Sequence, residues 1–149
     1  MKQDRLYDNI KASISKLAVD FITNVAPTAT YVDFDAHASQ TDLPPGLIVG
    51  PAGCGLTEDD TKIEIIFGLG VATNNDPGLY VLTQTISKLR AIVIPKTRIT
   101  IYDHAPATPW SWMVVVTPQA ITPVSRAEVR AMQFIECKAL LDLRAVTLS

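Results

Sequence analysis

At 149 residues, with 13 Lys and Arg against 15 Asp and Glu, the chain has a formal net charge of −2. Its pI of about 5.6 leaves no overall basic field to draw nucleic acid nonspecifically. Hydrophobic residues make up 48% and charged residues 19%, and the mean hydropathy is +0.21. That is apolar enough to suggest burial against other subunits, although a well-filled core accounts for it equally.

The length fits one domain spanning residues 1–149. Apolar runs are broken by Thr, Pro or charge long before they could span a bilayer, so no membrane partner is expected. The N-terminal residues are charged and helical in pattern, unlike a secretion signal. Cys54 and Cys137, few and far apart, fit a reducing cytoplasm better than a disulfide framework.

Leu6, Ile10, Ile14, Leu17 and Phe21 step by three and four, which predicts an amphipathic first helix ending before Pro27. Residues 31–35 read as a short strand that places Asp33 and Asp35 on one face. Two carboxylates there could approach a cation, but without a third ligand they read better as charges that discourage strand pairing. Residues 37–45 read as a polar loop, and 47–49 as a short buried strand.

Residues 47–57 then approach the pattern of a phosphate-binding loop. Leu56 stands where that loop requires Lys, and Glu58, Asp59 and Asp60 would repel a polyphosphate. Residues 50–55 are therefore read as a glycine-rich turn between strands, with no nucleotide bound.

Residues 61–103 carry the clearest pattern. Ile63, Ile65, Phe67, Leu69 and Val71 alternate with other residues at the strand period. Asn74, Asn75 and Asp76 break that strand. Asp76 and Pro77 open a second helix, the carboxylate accepting from amides that lack helical partners. Leu79, Leu82, Ile86, Leu89 and Val93 give that helix one apolar stripe, and Pro95 ends it. Ile99 and Ile101 resume the strand period.

Residues 104–109, with two prolines, read as a loop. Trp110, Trp112, Val114 and Val116 mark one face of the next strand, and Pro118 and Pro123 a second loop. The last segment has helix-favouring composition but strand patterning. Ile135, Cys137, Ala139, Leu141 and Leu143 share one face, with Glu136, Lys138, Asp142 and Arg144 on the other. Residues 133–143 are predicted to form a long strand. The order of elements predicts an α+β fold: a mostly antiparallel or mixed sheet with two helices packed on one face.

No residue set converges on catalysis, and neither a cofactor nor a metal is expected. His37 and His104 lack a metal-ligand spacing, and Asp103 beside His104 reads as a pair of solvated or capping groups rather than an oriented imidazole. Cys54 lacks the surroundings that activate a thiol, and Cys137 falls on an apolar face. The two tryptophans are ordinary core residues or, more sharply, anchors of a subunit interface.

In size and layout the whole chain resembles the tail terminator proteins of long-tailed bacteriophages. The features that carry this are the helix at 6–21, the short strands at 31–35 and 47–49, the strand–helix–strand unit at 63–103 and the terminal strand through residues 134–138. The resemblance implies a non-enzymatic virion protein of the tail or neck, assembled in the host cytoplasm. It implies a hexameric ring that caps the tail tube and joins it to the head connector, with DNA only as passing cargo. Basic residues are spread along the chain, so the resemblance names no residues lining the bore. Trp110, Trp112, Arg126 and Arg130 are the candidate interface residues, the two arginines as cross-subunit ion pairs or as plain solvated charges. The alternative is a small ligand-binding or regulatory domain whose ligand sits near residues 50–55.

Overall fold

A computed structural model describes residues 1–37, 42–103 and 108–149 of the chain. It has two α-helices, α1 (Leu6–Asn24) and α2 (Tyr80–Ala91). Its seven strands are β1 (Thr30–Tyr31), β2 (Ile48–Glu58), β3 (Lys62–Asn74), β4 (Arg98–Asp103), β5 (Thr108–Ile121), β6 (Ser125–Ala127) and β7 (Arg130–Asp142). They form one sheet in the order β1-β2-β3-β7-β5-β4, with β6 paired to the start of β7. Only the two-residue β1 runs parallel to its neighbour, and every other pairing is antiparallel. The fold is α+β, as the order of elements predicts.

The strands β3 and β7 form the spine, in unbroken register from Lys62 opposite Asp142 to Asn74 opposite Arg130. Their alternation places Ile63, Ile65, Phe67, Leu69 and Val71 beside Ile135, Cys137, Ala139 and Leu141, all buried. The same cluster takes Ile10, Ile14 and Phe21 from α1 and Leu82, Ile86 and Leu89 from α2. Both helices therefore cover one face of the sheet. The terminal segment is a strand, as its period of two requires.

The second helix starts later than the sequence suggests. Asp76 is followed by a 3-10 turn, Pro77–Leu79, in which Gly78 and Leu79 adopt positive φ, and α2 begins only at Tyr80. The Asp76 carboxylate still caps it, accepting from the amides of Val81 at 3.2 Å and Leu82 at 2.9 Å. Burial works to raise the Asp76 carboxyl. The amides of Leu82 and Val81 and the charge of Arg126 outweigh it and hold the group below its ordinary value of 3.8.

Several boundaries differ from the sequence expectation. The strand predicted at 31–35 stops at Tyr31, and a 3-10 turn, Phe34–Ala36, follows with Asp33 capping it. Asp33 and Asp35 thus do not share a strand face. The strand predicted at 47–49 continues as β2 to Glu58, so residues 50–55 are strand rather than turn. The ladder slips between Ala52 and Gly55, and Gly53 there has a φ of +60°. Thr108 and Pro109, expected in a loop, begin β5. That strand runs through Pro118 to Ile121, its pairing with β7 slipping between Val116 and Ala120 around the missing proline amide. The strand β6 had no sequence signal.

A second, smaller cluster of Val32, Phe34, Leu43, Ile48 and Ala72, with Phe134 against it, lies on the other sheet face. The rings of Phe34 and Phe134 meet edge to face, with centroids 5.2 Å apart. The two aromatics fit over Gly70, where a Cβ would collide with both.

Candidate assembly surface

Away from that small cluster, the helix-free face of the sheet is left largely uncovered. Residues directly opposite one another in an antiparallel pair share a face. The register therefore joins Ile66, Lys138 and Val116 in one row, and Glu64, Leu140, Val114 and Arg98 in the next. Trp112 stands opposite Thr100 at the β4 end of this surface. Trp112 is 47% exposed and Ile66 50% exposed, while Val114, Val116 and Leu140 are half-buried. Lys138 and Glu64 pair across the middle at 3.1 Å. The Arg98 guanidinium carbon lies over the Trp112 ring, 4.6 Å from its centroid.

The two tryptophans do not share a face. Ile101 pairs with Ser111 and Tyr102 with Pro109, so Trp110 is the extra residue of a bulge. That insertion reverses the alternation. Trp110 packs against the main core, its indole N–H donating to the Thr147 carbonyl at 3.3 Å. The core residues of β5 are Met113 and Val115, and Trp112 faces outward.

The two arginines also part company. Arg126 is exposed on β6. Arg130 is buried at 7% exposure and donates to the carbonyl oxygens of Gly46, at 3.2 Å, and Pro44. Burial lowers its guanidinium from the ordinary value. Arg130 therefore serves its own chain, tying β7 to the segment before β2, while the exposed Arg126 acts on Asp76 through its charge.

Both sheet edges lie against α1. The helix contacts β1 and β2 on one side and β4 on the other, so it bridges the ends of the curled sheet. Ser13 Oγ accepts from the Tyr102 amide at 3.0 Å and donates to the Asn9 carbonyl at 2.7 Å. Asn9 Nδ2 in turn donates to Asp103 at 3.3 Å. A cleft of about 600 Å³ opens along this helix, lined by Ala12, Val19, Tyr31 and Tyr102, with Lys16 and Asp20 paired beside it at 2.8 Å.

At residues 50–55 the backbone is already occupied. A Cβ on Gly50 would overlap the carbonyl oxygen of Val32, and the Gly53 amide donates to Asp35 Oδ2 at 2.8 Å. The strand continues to Glu58 and turns into β3, so no helix follows to complete a phosphate cradle. Among the described residues no three His, Cys, Asp or Glu side chains gather to hold a metal ion. His37 is half-buried after the Phe34–Ala36 turn. His104, and with it the Asp103–His104 pairing, lies outside the described residues. Burial pushes the Cys137 thiol up to about 12 and raises that of Cys54 as well.

Among the described residues no helix is long and apolar enough to cross a membrane. No family model matches the chain, and no curated protein does. One solved structure, whose name carries no functional description, is similar over 91% of this chain and 95% of its own, with a TM-score of 0.63. At 13% identity that likeness concerns the fold alone.

Proposed function

We propose that the chain is a structural virion protein, a tail terminator or neck subunit that closes into a ring on the end of the tail tube. The observation that carries this reading is the open sheet face with Trp112 exposed beneath Arg98. Tryptophan and arginine are the residue types that dominate binding energy at interfaces, and here they stand beside half-buried Val114 and Val116. Both sheet edges lie against α1, so a neighbouring copy would meet this face through its side chains. The ring of six, the tail-tube and head-connector partners and the virion location follow from the resemblance in layout. The proposed role is non-enzymatic, with DNA only as passing cargo.

The alternative, a small ligand-binding domain, loses the seat expected for its ligand, because residues 50–55 are strand with the Gly53 amide engaged. It would have to use the cleft along α1 instead. Electron micrographs of purified protein, alone and mixed with tail tubes, test the ring. Rings in solution or caps on tube ends are the expected result. A subunit absent from assembled tails and necks, followed by a label, ends the reading.

A further inference from the structure

Charge is divided unevenly between two successive stretches of the chain. Residues 42–76, which hold β2 and β3, carry Asp42, Glu58, Asp59, Asp60, Glu64 and Asp76 against one cation, Lys62. Residues 77–102, which hold α2 and most of β4, carry Lys88, Arg90, Lys96 and Arg98 and no carboxylate. All four cations are exposed, and among the described residues none of them pairs with a carboxylate. Lys88 and Arg90 ride on α2, which packs over β3 and β7. Lys96 and Arg98 are therefore the cations of the β4 end, and in the strand order that end lies away from β2 and β3.

Part of the acidic set is used within the chain. Glu64 pairs with Lys138, Asp76 caps α2, and Asp59 accepts from Thr61 and Lys62 in the β2–β3 turn. Glu58 and Asp60 remain at the exposed tip of that hairpin, where Glu58 accepts from the Tyr7 hydroxyl at 2.9 Å. We infer that the basic end of the sheet in one copy, Lys96 and Arg98 with the neighbouring Trp112 of β5, docks through its side chains against Glu58 and Asp60 of a second copy. This rests on the ring reading above and names the two surfaces that meet.

The charge division selects the geometry of the contact. A two-fold contact through the β4 end would bring Arg98 against Arg98, and like charges at an interface are strongly disfavoured. Joining the basic end to the acidic tip is a head-to-tail contact, the type that generates rings when its rotation closes. Trp112 supplies the apolar anchor beside the charges, and Arg98 already lies over its ring. A nucleic-acid partner fits less well. The chain carries its own acidic complement, and Trp112 continues into Val114 and Val116, an apolar surface that a phosphate backbone would not cover.

Two charge-reversed proteins test this, Lys96→Glu/Arg98→Glu and Glu58→Lys/Asp60→Lys. All four sites are exposed, and thermal melts confirm that each variant is folded. Alone or on tail tubes, each should assemble on the order of tenfold or more weakly than wild type, by mass photometry and negative-stain imaging. An equal mixture should assemble again, because copies alternating around the ring restore opposite charges at every contact. Reversed proteins that form normal rings overturn this interface and leave the ring reading standing. A mixture that stays apart overturns it too. Wild-type protein that forms no ring even on tail tubes ends the ring reading and this contact with it. Loss of binding to a DNA oligonucleotide by the Lys96→Glu/Arg98→Glu protein, with assembly intact, would assign the basic surface to nucleic acid instead.

Discussion

Arg130 Nη1 donates to the carbonyl oxygen of Gly46 at 3.2 Å, joining positions 84 residues apart in the chain. A second guanidinium nitrogen reaches the Pro44 carbonyl, so one buried side chain fixes the segment that leads into β2. Replacing it with Ala removes both donors and should cost about 1–3 kcal/mol. Lys should recover only part of the loss, since a point-like ammonium cannot reproduce the planar fork. Urea unfolding midpoints of the two variants check this. Full stability in Arg130→Ala would show that water replaces the guanidinium freely.

The Asp76 cap makes a second stability prediction. Asp76→Ala leaves the Val81 and Leu82 amides without their acceptor and should cost about 1 kcal/mol. The native carboxyl is held below its ordinary value, so its charged form contributes stability that is fully present above that value of 3.8. That contribution is lost as pH falls through the lower native value. The charge-dependent part of the gap between wild type and variant should therefore be constant at neutral pH and close under strongly acid conditions. Denaturant unfolding across pH measures it.

Two glycines of β2 give opposite expectations for one substitution. Gly50→Ala would drive a methyl group into the Val32 carbonyl, a backbone atom that cannot step aside, and should disrupt the pairing of β1 with β2. At Gly55 a Cβ meets nothing within 4 Å, so Gly55→Ala should fold like wild type. Circular dichroism melts of the two proteins decide it.

These glycines also mark where the sequence was hard to read. The strands β3 and β7 were legible because their apolar residues alternate without interruption. Glycine and proline at 50, 51, 53 and 55 hid β2, since the same residues that signal a turn are used here for a close approach to Val32 and for a bulge. Alternation also misled at the tryptophans, where the single inserted residue Trp110 changes which side chains face the core. The role of Arg130 had no local signal at all. Its acceptors are backbone carbonyls, whose positions no side-chain pattern records. The division of charge between residues 42–76 and 77–102, by contrast, is plain in the sequence, but its meaning depends on the strand order.

The thiols should separate by reactivity. Cys137 is buried on the core face of β7 with its thiol pushed up to about 12, so it stays protonated at neutral pH. Cys54 is half-buried and should react first, though slowly, because burial raises its thiol too. Titration with a chromogenic disulfide should label one thiol in the native protein and two after denaturation. Equal native rates would contradict the burial of Cys137.

The two tryptophans should fail in different ways when removed. Trp110 packs on the core and donates to Thr147, so Trp110→Ala should lower stability and loosen the C-terminal residues that pack with it. Trp112 is 47% exposed and lies under the Arg98 guanidinium, a contact worth roughly 0.5–1 kcal/mol at an exposed site. Trp112→Ala should therefore unfold within about 1 kcal/mol of wild type, while assembly falls on the order of tenfold or more because an interface anchor is gone. Unfolding curves and mass photometry on the same preparations separate the two effects. If Trp112→Ala assembled as well as wild type, the open sheet face would not be the surface that joins one copy to the next.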